Sequence, residues 1–403
     1  MSGTLLVRGA RQLITLRGSA EPRRGAALNE LGIIRDGALL IEDGRIVEVG
    51  LSRRVENLAL ARRPQEIDAT GRVVMPGFVD SHAHLVGGVP LLGGPAPTVG
   101  ELRNTSAKRL ESRARQFVNA MVRHGSTSLE AKSGYGLDAR SEVKILRAQA
   151  MLHRAPLDIA STFLTPQWMP ATYPGDPAGY LSWLCSELLP AIRRRAFARF
   201  AGLRCGETVF NMEQQRRYLE TARGLGFRLK IHAGESGAHD AVSLALEVGA
   251  ASVDRLRDAG PADADLLAHS NTMAVLLPGA TFHGGRCAPA RPLIDAGAAV
   301  ALGSNFNPGA SSTCSMPAIV ALACAHLGMT PAEAICAATF NAACAIGSGQ
   351  VAGSLEAGKP ADLIVLNASD YREIPGRFGV NLVNRTMKRG VTIYLEGKVA
   401  GRA

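Results

Sequence analysis

The sequence predicts an α/β protein, a (β/α)8 TIM-like barrel carrying a small β domain composed from both ends of the chain. Two patterns carry that expectation. From Arg72 onward, apolar runs of five to eight residues alternate with helix-forming stretches of ten to twenty, giving eight strand-then-helix units in order. At both ends the pattern changes to short strands with turn signals.

The elements follow in order. Leu5-Leu6-Val7, 38–42 and 45–49 read as strands, the last two split by Glu42-Asp43-Gly44, a hairpin-type turn. The barrel strands are expected at 73–81, 126–131, 158–164, 200–204, 228–232, 251–254, 273–277 and 298–303. Good helix formers lie between them, at 101–123, 139–153, 212–224, 238–247 and 261–269. Strands return at 361–366 and 391–395 with a turn at Glu396-Gly397. The expected organisation is therefore 1–75 and 350–403 as two parts of one small β domain, with 76–349 as the barrel.

Composition narrows the function classes. The 403 residues are 46% hydrophobic, and no apolar run reaches the roughly 18 residues that a membrane helix needs, so no membrane partner is expected. The first fifteen residues show no apolar segment followed by a small-residue cleavage site, so no signal peptide is expected. The seven cysteines are single, odd in number and set among apolar residues, which suits reduced thiols in a cytoplasmic protein. The net charge of +10 is spread over dispersed arginines and only 5% of residues are aromatic, which argues against a nucleic-acid surface.

The chemistry-bearing motif is Pro76-Gly77-Phe78-Val79-Asp80-Ser81-His82-Ala83-His84. Residues two apart on a strand face the same way, so both imidazoles of the HxH pair can reach one point and begin a divalent metal site. The competing reading is a buried pair satisfied by its neighbours. Around it, Asp36-Gly37-Ala38-Leu39-Leu40, Lys132-Ser133-Gly134-Tyr135-Gly136-Leu137, Leu276-Leu277-Pro278-Gly279, Asn307-Pro308-Gly309 with Ser315-Met316-Pro317, and Gly379-Val380-Asn381-Leu382-Val383 recur at family-like positions. Together these motifs make the chain resemble the imidazolonepropionase family of the amidohydrolase superfamily along nearly its whole length.

That resemblance implies metal-dependent hydrolysis of the cyclic, amide-like C–N bond of an imidazolone or related small ring. It implies His82, His84 and His232 as ligands to one divalent metal, Zn²⁺ in preference to Fe, with Glu235 as the acid/base or water-orienting carboxylate. Tyr135, Asn307 and Gly309 fall on substrate contacts, and a homodimer is the implied assembly. Four positions depart from the family pattern. Asn305 stands where the eighth strand should supply an Asp that binds metal and takes a proton, and an amide does neither usefully. Arg255 stands where the sixth strand should supply a His, and a guanidinium is no base. Gln167 replaces a third-strand His in the substrate site. Gly87-Gly88-Val89-Pro90-Leu91 replaces the segment with an Arg that would clamp a substrate carboxylate. Catalysis would then rest on Glu235, Asn305 and Arg255, and the alternative is an impaired or inactive paralogue acting as a binding or partner subunit. With the clamp lost and Arg255 as the one new cation near the site, a carboxylate-tailed ring is expected to be disfavoured.

Overall fold

The structure is a computed structural model that describes residues 3–59, 63–87, 99–153, 156–166, 169–170, 172–206, 209–234, 237–283, 286, 288–307, 311 and 313–397. Eight parallel strands run in sequence order: Phe78–Ala83, Ser126–Lys132, Asp158–Leu164, Phe200–Arg204, Arg228–His232, Ser252–Asp254, Met273–Leu276 and Val300–Leu302. The last strand reaches the first through a parallel bridge between Ala83 and Phe306, and through Asn305 N–H donating to the His82 carbonyl at 2.9 Å. His84 N–H donates to the Phe306 carbonyl at 2.6 Å, so the ring of strands closes at the end where His82 and His84 emerge.

One expected strand proves to be two. Residues 73–81 were expected as a single barrel strand, but Val73–Pro76 pairs antiparallel with Leu363–Leu366 outside the barrel, and Phe78–Ala83 enters it. Gly77 makes the transition. A Cβ there would overlap the Thr127 side chain, whose own Cβ would lie 2.9 Å away, while Gly77 N–H donates to the Asp362 carbonyl. The expected helix at 101–123 is likewise two, Val99–Asn104 and Ala107–Arg123, because Ser106 caps the second by accepting from Arg109 N–H.

The two ends of the chain share a six-stranded sheet in the order Val391–Leu395, Val383–Lys388, Leu363–Leu366, Val73–Pro76, Gln12–Ile14 and Ile33–Ile34. A second, four-stranded sheet holds Arg45–Leu51, Gly37–Glu42, Thr4–Ala10 and Gln65–Asp68. The turn at Asp43 (φ 49°) and Gly44 (φ 77°) has the left-handed pair that a tight two-residue hairpin requires. No helix among the described residues is long and apolar enough to cross a membrane.

The barrel interior is divided along its axis. Toward the N-terminal ends of the strands, Val79, Met273, Val275, Ala299 and Ala301 form one apolar cluster with Ala342, Ala343 and Ala345 of the helix Phe340–Ala345. Above it the interior is charged. Lys230 Nζ bonds Glu130 at 2.7 Å, Glu130 bonds Lys132 at 2.7 Å, and Lys132 bonds Asp254 at 2.9 Å, all of them buried. Strand alternation produces this layer, because Leu129, Ala131, Leu229, Ile231 and Val253 between the charged positions pack outward against the helices.

The close approach at Gly77 yields a stability test. Gly77→Ala should lower unfolding stability by about 1–3 kcal/mol in urea denaturation, and Thr127→Ala on top of it should recover part of the loss. An unchanged midpoint in the single variant would contradict the packing described.

Candidate metal centre and active site

His82, His84 and His232 converge at the C-terminal ends of the first and fifth strands. The His82 ring lies 5.3 Å from that of His84 and 5.1 Å from that of His232, centroid to centroid, and all three side chains are buried. His82 Nε2, His84 Nδ1 and His232 Nδ1 are buried without a hydrogen-bond partner. Buried polar nitrogens seldom stay unpaired without a reason, so three together answer the reading of a self-satisfied pair. Burial, then Lys132, pulls His82 down to about 4, and burial holds His84 and His232 well below the usual imidazole range. All three are neutral at pH 7, as metal ligation requires.

Asp254 fixes the first of these rings. Its Oδ2 lies 2.9 Å from His82 Nδ1 and 2.9 Å from Lys132 Nζ, and its Oδ1 accepts from Ser252 Oγ at 2.9 Å. This holds a proton on His82 Nδ1 and leaves Nε2 as the bare nitrogen, the arrangement in which a carboxylate orients a ligating histidine. Burial pushes Asp254 upward, but Lys132 and His82 outweigh it and hold the carboxyl well below its usual range. Burial likewise opposes the charge on Lys132, yet Asp254 and Glu130 keep its pKa above the ordinary value. Ligand atoms of His82, His232 and Asp254 lie within 4.8 Å of one another, so a group able to hold a metal ion is present.

The Lys132–Leu137 segment is built for close contact. The Glu142 carboxylate accepts from Gly134 N–H at 3.0 Å and Gly136 N–H at 2.5 Å. A Cβ at Gly134 (φ 105°) would meet the Leu164 carbonyl at 2.6 Å, and one at Gly136 would meet Glu142 N at 2.6 Å. Both glycines are therefore sterically required, and between them Tyr135 is presented edge-on to His84, ring centroids 5.3 Å apart. Its hydroxyl accepts from Asn307 Nδ2 at 2.8 Å and from the Arg204 guanidinium.

The remaining expected residues divide. Asn305, in the left-handed region at φ 54°, is tied to the first strand by its main-chain bond to His82; Asn tolerates that conformation better than most residues. Arg255 follows the sixth strand, which stops at Asp254, and takes φ 86°. It still lies close enough to depress His232, after burial, Arg204 and His82. Glu235, Gln167 and Gly309 lie outside the described residues.

Arg204 was not singled out from the sequence, and Arg255 is not the one new cation near the site. Arg204 ends the fourth strand in register with His232, which is in register with Asp254, so the three share one row across adjacent strands. The available signal was an Arg closing the apolar run Phe200-Ala201-Gly202-Leu203 at the catalytic end of a barrel strand.

With this geometry in place, comparison with known proteins is direct. Residues 65–109 and 211–393 each match the amidohydrolase family. An imidazolonepropionase of Geobacillus kaustophilus (strain HTA426) is 40% identical, covering 98% of this chain and 99% of its own length. The chain belongs to the imidazolonepropionase family. A second imidazolonepropionase, from Brevibacillus brevis, is 38% identical over 99% of this chain and 100% of its own. Among solved structures, E. coli guanine deaminase superposes with a TM-score of 0.74 at 17% identity over 98% of this chain and 99% of its own. A. niger ochratoxinase gives 0.73 at 19% identity over 98% and 96%. At those identities the likeness is one of fold, the amidohydrolase barrel that imidazolonepropionases share.

Removing Lys132 would leave Glu130 and Asp254 facing each other in the interior. Lys132→Met should cost about 3–5 kcal/mol of unfolding free energy, the range for breaking a buried ion pair. A loss under about 1 kcal/mol in denaturant titration would show that the buried charges do not depend on one another.

Proposed function

We propose that this protein hydrolyses the cyclic amide-like C–N bond of an imidazolone or closely related small ring, with one divalent metal, Zn²⁺, held by His82, His84 and His232. The observation that carries the reading is the set of three orphaned, buried, neutral imidazole nitrogens at the catalytic end of the barrel. An all-nitrogen donor set suits Zn²⁺ better than Mg²⁺. Bound there, the ion supplies Lewis acidity, polarising a ring carbonyl and acidifying a water. The chain's own residues do the rest.

Asp254, anchored by Lys132 and Ser252, keeps the His82 ring turned so that Nε2 faces the ligand. Tyr135 and Asn307 form a hydrogen-bonding wall against His84 that orients the ring. Glu235, three residues past His232, is the carboxylate proposed to take a proton from the attacking water and return it to the departing ring nitrogen. Water adds to the carbonyl carbon, the C–N bond breaks, and that nitrogen leaves protonated. Gln167 and Gly309 remain proposed substrate contacts, and Asn305 and Arg255 remain the proposed altered catalytic positions. The reading of an inactive binding subunit is not favoured, because identity to imidazolonepropionases of 38–40% spans the chain. A cytoplasmic homodimer and the division 1–75, 76–349 and 350–403 belong to the same proposal, the division supported by the sheet that both termini share.

The test is a hydrolysis assay on a 4-imidazolone, followed by loss of ring absorbance, with elemental analysis of the same preparation. Expected are close to one equivalent of zinc per chain, loss of both zinc and activity on chelation, and recovery of both on adding Zn²⁺. His232→Ala should reduce turnover at least about a hundredfold. Asn305→Asp should bind zinc more tightly and turn over faster, since it supplies an anionic ligand and a proton acceptor together. Protein that takes up no zinc and opens no ring would refute the reading.

A further inference from the structure

We propose that Arg204 is the specificity-determining residue of this site, receiving a carboxylate carried by the substrate ring together with the Tyr135 hydroxyl. The inference rests on the cyclic-amide reading for the ring, while the anion site stands on its own geometry.

Three observations point to it. First, position: Arg204 is the register neighbour of His232 on the adjacent strand, so its side chain leaves the sheet in the same row as a proposed metal ligand. Its main-chain N–H donates to Thr165 Oγ1 at 3.0 Å, which fixes the strand end from which the side chain departs. Second, charge. Lys132 and Lys230 are matched by Glu130 and Asp254 in the buried ladder. Arg204 has no carboxylate partner among the described residues, and its Nε is buried without any partner. The side chain as a whole is half-buried. A cation there without a carboxylate carries a desolvation cost that an anion would offset, and a divalent metal beside it would sharpen the local positive potential.

Third, hydrogen-bond direction. The Tyr135 oxygen accepts from both Asn307 Nδ2 and Arg204, which uses its two acceptor positions. Its own proton is then left to donate. The guanidinium and the phenol thus present only donors, and donors without acceptors select an anion. A planar guanidinium also matches a carboxylate in a way an ammonium does not. Arg204 therefore occupies, from the fourth strand, the role left open by the missing Arg after His84. It reverses the sequence-based expectation that a carboxylate-tailed ring is disfavoured.

Calorimetric titration of the zinc-loaded protein with hydantoin-5-propionate and with 5-ethylhydantoin compares the same ring with and without the charge. A third probe, glutarate, carries carboxylates and no ring, and is read by thermal shift at millimolar concentration. The parent should prefer the carboxylate-bearing ring by about ten- to a hundredfold. Arg204→Met should bring that preference to within about threefold, and Arg204→Lys should fall between the two. Glutarate should raise the melting temperature of the parent and not that of Arg204→Met, whose unliganded melting temperature should be no lower than the parent's. Glutarate protection lost in Arg204→Met, with neither hydantoin bound, would uphold the anion site and refute the ring reading. Equal binding of the two hydantoins, or a preference that survives Arg204→Met, would overturn the assignment of Arg204 and leave the ring reading standing.

Discussion

The chain of buried charges from Lys230 through Glu130, Lys132 and Asp254 to His82 is the constraint around which the site is organised. It joins the first, second, fifth and sixth barrel strands by side chains as well as by backbone. Charges this deep are tolerated only when each meets its partner. The alternation of the strands delivers them in order, Glu130 and Lys132 two apart on one strand, and Lys230 and His232 two apart on another. What the ladder provides in return is orientation. The His82 ring is held by a carboxylate that is itself held by an ammonium and a hydroxyl, so the unpaired nitrogen, Nε2, is set before any ligand arrives. Solvent-exposed histidines would instead sample several rotamers and share their proton between two tautomers.

The electrostatic character of the site follows from what surrounds that ladder. Its own charges cancel, and the histidines are neutral. The resemblance expects an anionic Asp where Asn305 stands, and a neutral-capable His where Arg255 stands. Both departures shift the balance toward positive, and Arg204 shifts it further. All three positions lie where strands end, and Asn305 and Arg255 take left-handed backbone conformations at which the chain turns away from the barrel. Asn accommodates that conformation readily, whereas Arg255 is held there at a cost in backbone strain. The fixed groups at this end of the barrel therefore favour an electron-rich, anionic ligand.

Much of this was legible in the sequence, for identifiable reasons. The eight strand–helix units follow from local periodicity, and the strand at 228–232 has the bounds that composition suggested. The HxH pair and His232 were legible because strand ends are where a barrel presents its chemistry. The division at Gly77 was missed although Pro76-Gly77 carries a break signal, since what fixes the break there is a contact with Thr127, fifty residues away. The Lys132–Leu137 motif could be recognised but not explained, because the carboxylate that receives its two glycine N–H groups belongs to Glu142 on the following helix. Arg204 was passed over because an arginine closing a strand has an ordinary reading as a solvated end, and only the register with His232 shows it turned inward.

The central claim is that three imidazoles, the first oriented by Asp254, form the metal centre. X-ray absorption at the zinc edge of the loaded protein tests this most directly, because rigid imidazole rings give characteristic outer-shell scattering that carboxylates do not. The account predicts a spectrum dominated by about three imidazole ligands in the parent, falling by one in His82→Ala. A first shell of oxygens with little imidazole scattering, or a spectrum unchanged in His82→Ala, would contradict it.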